Sequence, residues 1–357
     1  MCVIDTLRDA TEYLNHTIIF YLLFVTLRIY YLSEKGCEFM DYYCNSELLD
    51  TLVAKYQEKS CVPILLGTHN GEFHSDDVLS TAMLQHALES RRVMSQVVRT
   101  RNPKLLAECD IVYDVGCGIY DHHGDCKVYY PNGIMMASCG KLLKDLIADA
   151  EVLEYLRSRL FYAVEAIDNG QTLPVYMNSS MISFVKQFNP PWDHREDKQQ
   201  LDKLFFEVVS MVRKIYERLL INAAANIEAK HYVEKNAMIK ADGRIMILPK
   251  YCYVKDYIRT HNELLVVVYP SDDQVFVKCV SSIGRGFNTR VTFPEEWRGK
   301  SRDALAKISG INDIVFCHPA GHMAIFNSPE SARKACEVLL KRKEEIDMQC
   351  MQIHQED

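Results

Sequence analysis

Short apolar runs set around one helix-length segment constrain the fold of this chain more than any other feature. Val62-Pro63-Ile64-Leu65-Leu66-Gly67 has the length of a buried strand, and proline is tolerated at its first positions. Between Asp77 and Arg91 the residues Val78, Leu79, Ala82, Met83 and Leu88 recur at helical spacing. Val93 to Val98 and Asp110 to Val115 predict two further strands. Strand, helix, strand, strand in this rhythm predicts an α/β domain whose mainly parallel sheet is flanked by helices. Ligands of such sheets gather at the carboxyl ends of the strands.

Further along, Gly140 to Ile167 is mostly helical, and Asn189-Pro190-Pro191-Trp192 then breaks the chain. Leu201, Leu204, Phe205, Val208, Val212, Ile215 and Leu219 then predict a long amphipathic helix. After Asp242-Gly243, strands are expected at Ile245–Leu248, Leu264–Tyr269, Val275–Val280 and Ile314–Cys317, with a closing helix over Ser331–Leu340. At roughly 150 residues per domain, this length predicts two domains. The expected division is an N-terminal helical extension (1–60), an α/β domain (61–200), a connecting helical segment (201–244), a smaller α+β domain (245–340) and a charged tail (341–357). Tyr42-Tyr43 and Tyr129-Tyr130 read as packing residues.

Composition narrows the function classes. A net charge of −7 excludes a surface wrapped everywhere in nucleic acid but leaves room for a local basic groove. Thirteen cysteines without a CxxC pair argue for reduced thiols in an intracellular protein. The apolar run Thr17–Leu27 is shorter than the about 20 residues a spanning helix needs, and Asp5, Asp9 and Glu12 precede it where a targeting peptide carries basic residues. It reads as a buried or docking helix, with a membrane or targeting segment as the alternative; no integral membrane role is expected.

Four stretches of the first domain carry acids and histidines, mostly just after predicted strands. They are Gly67 to Asp77, Asp114 at the end of Asp110–Gly116, Asp121-His122-His123, and Asp168-Asn169-Gly170. Each has a plainer reading: Asp76 as a helix N-cap, Asp168-Asn169-Gly170 as a turn, the two histidines as a solvated pair. Asp114 is harder to dismiss, because a carboxylate ending a buried strand costs free energy unless something pairs with it. Loops at one edge of a parallel sheet meet in one crevice. Several Asp with His, and no clustered Cys, suit Mn²⁺, Mg²⁺ or Zn²⁺, and a bridging Asp can hold two ions about 3.5–4 Å apart. With no Ser-His-Asp or Cys-His arrangement evident, metal-activated hydroxide is the economical nucleophile for a phosphoester.

The run Thr68-His69-Asn70-Gly71-Glu72-Phe73-His74-Ser75-Asp76-Asp77, with Asp114-Val115-Gly116 and Asp121-His122-His123 after it, resembles the MYG exonuclease family (melanocyte proliferating gene), which is related to the DHH phosphoesterases. The likeness continues through Ala137–Gly140, Glu165–Gly170, Phe188–Trp192, Arg290, Phe293–Gly299 and Ser309–Ile311, and so covers about residues 62–340. It implies a DHH-like catalytic domain with His69, His74 and Asp76 as ligands, Asp114 as bridging carboxylate, His122 on the second ion and Asp168 closing the site. Asp114 and His123, the latter facing the phosphate, would be the catalytic pair. It further implies two divalent ions, Mn²⁺ first, and 3′–5′ exonucleolysis of single-stranded RNA, in mitochondrion or nucleus, with cytoplasm as alternative. The competing readings are a hydrolase of nucleotides or pyrophosphate and a catalytically idle RNA- or protein-binding scaffold; the chain suits a single copy or a homo-oligomer. His74 stands where the DHH motif has an Asp, which softens the site toward nitrogen.

In the second domain, residues 278–307 hold seven Lys and Arg against three acids, with Phe287, Phe293 and Trp297 interleaved. Arg285, Arg290 and Arg298 are expected to bind the RNA backbone, the aromatic rings to stack bases, and His322 to hold substrate. A solvated face over core aromatics is the bland alternative.

Overall fold

The run beginning at Ile64 forms a strand buried almost throughout, as expected where helices cover both faces of a parallel sheet. The structure, a computed structural model, describes residues 46–124, 127–171, 181–191, 197–282, 288–300 and 302–356. The apolar run 17–27, Tyr42-Tyr43, Trp192, Arg285 and Phe287 lie outside these residues. The chain divides into two compact units, Met1–Ala224 and Ala225–Asp357.

In the first unit, α1 (Glu47–Glu58) is followed by β1 (Ile64–Thr68), α2 (Ser75–Ser90), β2 (Ser95–Arg99), α3 (Pro103–Leu106) and β3 (Ile111–Val112). The three strands form a parallel sheet in the order β2–β1–β3, with Leu66 opposite Val97 on one side and Ile111 on the other. Ser46 caps α1 by accepting from the Leu49 N–H at 3.2 Å, and the helix buries Leu49 and Leu52. The described end of the N-terminal extension is therefore a docked helix. Helix α2 is buried nearly all round, from Ser75 to Leu84, because α1, α4 (Ser138–Leu146), α6 (Tyr162–Asp168), α7 (Met181–Gln187) and β2 pack against it. Between α4 and α6 lie α5 (Ala150–Leu156) and one π turn, Arg157–Phe161. The long helix expected from the 3- and 4-residue spacing is α8, Lys198–Asn236, and the boundary between the units falls within it.

The second unit carries β4 (Met238–Lys240), β5 (Ile245–Ile247), α9 (Lys255–Thr260), β6 (Val266–Ser271), β7 (Gln274–Cys279), α10 (Arg302–Ser309), β8 (Ile314–Cys317), β9 (Met323–Phe326) and α11 (Pro329–Glu356). Its six strands run in the order β4-β5-β6-β7-β9-β8, antiparallel except for the β5–β6 pair. Val266, Val277, Phe293, Trp297, Leu305 and Leu339 share the core on one face. The charged tail expected after Leu340 is instead the second half of α11. The segment lacks Gly and Pro, pairs Lys343 with Asp347 one turn on, and is tied at Glu344 to Arg244 at 2.9 Å. Cys61, Cys109, Cys117, Cys139, Cys252, Cys279, Cys317 and Cys336 are free thiols. No helix among the described residues is long and apolar enough to cross a membrane.

Candidate metal centre

The loop between β1 and α2 delivers the first ligands and is braced from three sides. Gly71 at φ +92° makes the turn, and the Arg99 guanidinium donates to its carbonyl at 2.8 Å while lying 4.3 Å over the Phe205 ring. Asn189, from the Asn-Pro-Pro motif, brackets Phe73: its Nδ2 donates to the Phe73 carbonyl at 2.8 Å and its Oδ1 accepts the Phe73 N–H at 3.1 Å. The brace leaves His69 buried at the carboxyl end of β1, its Nε2 lying 3.3 Å from Asp114 Oδ2 and 3.5 Å from Asp77 Oδ2. Its Nδ1 lies 3.3 Å from the Asn70 carbonyl, which orients Nδ1–H outward and leaves Nε2 toward the acids.

Asp76 and Asp77 open α2 and, being adjacent, point about 100° apart around the helix axis. Asp76 accepts the Ser138 and Cys139 N–H groups at 3.0 and 2.7 Å, so the amino end of α4 grips both of its oxygens. Asp77 spends Oδ1 on the His74 and Val78 N–H groups at 2.8 and 3.0 Å, and its buried Oδ2 has no hydrogen-bond partner. The two acids therefore serve different sides of the same crevice.

Asp114 follows β3 in the left-handed region at φ +56°, a conformation that strains most side chains and that Asp tolerates better than most. Its N–H donates to the Tyr120 carbonyl at 3.0 Å, closing the loop that returns to Asp121-His122-His123. Oδ2 faces His69, while Oδ1 lies 3.2 Å from His122 Nε2. His122 Nε2 is also 3.1 Å from Asp168 Oδ2, at the end of α6, and 3.8 Å from Asp76 Oδ2. None of these contacts has hydrogen-bond geometry, and Nε2 is buried without a partner.

Asn169 explains that orientation. Its Nδ2 donates to the Met135 and Glu165 carbonyls at 2.9 and 2.8 Å, which fixes Oδ1 as the atom 2.9 Å from His122 Nδ1. Nδ1 must then carry the proton, and in the neutral ring Nε2 presents a lone pair to three carboxylates.

Three sets of ligand atoms therefore lie within 4.8 Å of one another: His69, Asp77 and Asp114; Asp76, His122 and Asp168; and Asp114, His122 and His123. Asp114 faces the first set with one oxygen and the His122 side with the other. Orphaned atoms on Asp77 and His122, hard oxygen donors and imidazole lone pairs are what a divalent ion requires, and these groups can hold one. The electrostatics without an ion are correspondingly unfavourable. Burial, reinforced by the charges of Asp114 and Asp168, holds the Asp76 carboxyl well above the usual carboxylate range. Burial likewise pushes Asp77 up to about 7, against the pull of His69. On His122 burial acts downward, but Asp114 and Asp168 outweigh it and push the ring up to about 11. Protons on Asp76, Asp77 and His122 do here part of what a cation would do: they offset crowded negative charge.

Of the residues singled out in the sequence, the structure gathers His69, Asp76, Asp114, His122 and Asp168. His123 sits at the rim, its side chain 63% exposed and held by Asp121 at 2.8 Å. His74 is corrected: it is exposed, belongs to none of the three sets, and occupies the extended N-cap position of α2. Asp77, not named among the expected ligands, takes the place expected of His74 beside His69 and Asp114. Sequence reasoning passed over Asp77 because an acid at a helix start looks like a cap, and Asn169 because Asn-Gly looks like a turn.

Behind the ligands, Glu165 is fully buried and accepts from Tyr130 Oη at 3.1 Å and the Ala137 N–H at 3.0 Å. Burial pushes its carboxyl up to about 8, so at neutral pH it is mainly the neutral acid. It braces the segment whose next two N–H groups hold Asp76.

In the second unit two expectations change. Arg290 donates to the carbonyls of His261, Leu264 and Ile258 at 2.6, 2.7 and 2.9 Å, so it clamps a turn instead of offering its guanidinium to RNA. Phe293 and Trp297 are buried and stacked on each other with centroids 5.7 Å apart, which removes them as base-stacking platforms. Arg298 donates to the Phe293 carbonyl and to Thr292 Oγ1, beneath Gly321. His322 is half-buried with its ring 4.0 Å from that of His318.

Fold and site together define an α/β protein with a carboxylate–imidazole centre at the carboxyl edge of a parallel sheet. Residues 65–340 match the MYG1 exonuclease family model, described as uncharacterised protein family UPF0160, and the chain belongs to that family. Its relatives include a MYG1 protein of Chlamydia trachomatis, 27% identical over 301 residues, which span 79% of this chain and 98% of the relative. The human MYG1 exonuclease is 27% identical over 337 residues, spanning 80% of this chain and 88% of its own. A Dictyostelium discoideum MYG1 protein is 26% identical over 308 residues, 74% of this chain and 93% of the relative.

Proposed function

We propose that this chain is a metal-dependent phosphodiester hydrolase that removes nucleoside monophosphates from the 3′ end of single-stranded RNA. The observation that carries the reading is Asp114 shared between two ligand sets, with unpartnered buried atoms on Asp77 and His122. His69, Asp76, Asp77, Asp114, His122 and Asp168 would hold a divalent ion, which would supply an acidified water and charge neutralisation at a phosphoryl group. The protein's own part is to fix the donors: Asn169 sets the tautomer of His122, the α4 amino end orients Asp76, and Arg99 with Asn189 sets the loop bearing His69. His123, exposed beside Asp114, is placed to meet the phosphate of a bound substrate. The printed names of mammalian relatives, MYG1 exonuclease, support the choice of a nucleic acid.

The test is digestion of a 5′-labelled single-stranded RNA with Mn²⁺, Mg²⁺ or Zn²⁺ and with chelator. The expected result is a ladder shortening from the 3′ end that requires an added ion. Turnover of pyrophosphate or free nucleotides with intact RNA would replace the substrate; a protein neither stabilised by nor active with any divalent ion would leave only a scaffold.

A further inference from the structure

We propose that the less covered face of the second unit's sheet carries a nucleotide-binding site, built from tyrosines and lysines that the metal centre does not use. Along β6 and β7 the side chains alternate. Val266, Val268, Val277 and Cys279 enter the core shared with α10 and α11, whereas Val267, Tyr269, Phe276 and Val280 face the other way. That second face is covered by Val233 and Ala237 at the end of α8, by Cys252 and Val254 of the segment after β5, and by Tyr257 and Ile258 of the six-residue α9. The short cover leaves a cavity of about 590 Å³, within the range of small-molecule sites.

Its lining has a definite chemistry. Tyr251 and Tyr253 contribute rings, while Tyr269 is buried and stacked on Phe276; Lys255, Arg259 and Lys278 contribute cations, and none of the fourteen described lining residues is acidic, in a chain of net charge −7. Tyr251 and Tyr253 are 59% and 40% exposed, so much of each ring surface stays open even though Tyr251 lies edge-on to Tyr269 with centroids 5.2 Å apart. Buried Val267 and Val280 contribute apolar surface to the lining, and Ser281 and Ser282 add hydroxyls. Aromatic faces beside several cations match a base and its phosphate, and stacking on such faces is indifferent to sequence. An acidic peptide would use the cations but leave the rings idle. The occupant is one nucleotide unit, taken either from single-stranded RNA or as a free mononucleotide. The choice of a nucleotide over other phosphorylated aromatics rests on the nuclease reading above.

Binding is measured on the full chain with chelator present, so that no hydrolysis occurs, using a 5′-fluorescein 12-mer RNA and fluorescence anisotropy, with AMP as competitor. Tyr251→Ala with Tyr253→Ala weakens RNA binding by roughly 5- to 100-fold, the range for losing a stacked base. Lys255→Glu with Lys278→Glu weakens it and lowers the salt slope by at least about 1.4, from about 0.7 per lost contact on a single strand. Competition by AMP identifies a mononucleotide site; its failure, with the variants still impaired, identifies a polymer track. Photocrosslinking of 4-thiouridine RNA to the unmodified protein adds a readout free of substitutions, with crosslinks expected within residues 251–282. Unchanged affinity in both double variants, or crosslinks confined to other segments, overturns the proposal. A protein that binds through these residues yet hydrolyses nothing would keep the site and sink the exonuclease reading, so the two failures are separable.

Discussion

Replacing Asp114 with Asn is expected to reduce phosphodiester hydrolysis by more than about 100-fold. Losing a residue that merely supports a ligand already costs roughly 10- to 100-fold, and Asp114 offers an oxygen to each of two ligand sets. Asn is the informative substitution because it tolerates φ +56°, whereas Asp114→Ala adds a left-handed penalty of roughly 1–2 kcal/mol. Asp114 repels Asp76 and Asp77, but its own charge is paired: burial acts upward, and His122 and His69 outweigh it and hold the carboxyl well below the usual carboxylate range. A carboxylate depressed in the fold contributes stability at neutral pH, so the metal-free melting temperature of the Asn variant is expected to fall below that of the parent. The rise on adding Mn²⁺, about 2.7 kcal/mol of stabilisation at 100 times Kd, is expected to vanish. Unimpaired hydrolysis, or an undiminished Mn²⁺ response, would remove Asp114 from the centre.

The largest expected loss of stability is from Gly140→Ala. In an exposed helix this exchange stabilises by about 1 kcal/mol. Here a Cβ would fall 1.7 Å from Glu165 Oε1 and 2.6 Å from Tyr130 Oη. Glu165 cannot swing away cheaply, because it is fully buried and already bonded to Tyr130 and the Ala137 N–H. Overpacking of about 1–3 kcal/mol then adds to a similar cost for leaving a buried acid unbonded. A net loss of about 2–4 kcal/mol, or roughly 5–15 °C in a unit of this size, is the expected outcome in a thermal melt. The damage should reach the metal, since Gly140 follows the two residues whose N–H groups hold Asp76. Glu165→Ala in the same chain removes the obstacle and should recover part of the loss. A single variant as stable as the parent would show that Glu165 is not fixed where it is described.

Much of this was legible in the sequence, for physical reasons that differ by element. β1 was readable because a strand covered on both faces is short and continuously apolar, while α8 was readable because its apolar stripe runs from Leu201 to Leu219. Asp114 stood out as an acid ending a buried strand, whereas Asp168 read on its own as part of a turn. The second half of α11 was hidden because its stability comes from ion pairs such as Lys343–Asp347 and Arg244–Glu344, not from an apolar stripe. His74 was misassigned because ligand spacing in a loop says nothing about which residue caps the helix that follows. Arg290 and Trp297 were misread because sequence does not distinguish a guanidinium bonded to carbonyls from one facing a phosphate, or a core indole from a stacking one. Asp77 and Asn169 could have been weighed by one rule: adjacent polar residues at a helix end serve different neighbours.

The central claim is that Asp114 stands between two ions. Crystals soaked in Mn²⁺ and measured at the manganese edge test it most directly. The account predicts two anomalous peaks, one among His69, Asp77 and Asp114 and the other among Asp76, His122 and Asp168, each in contact with or adjoining Asp114. Peaks absent from both sets, or a single peak bound by neither oxygen of Asp114, would contradict it.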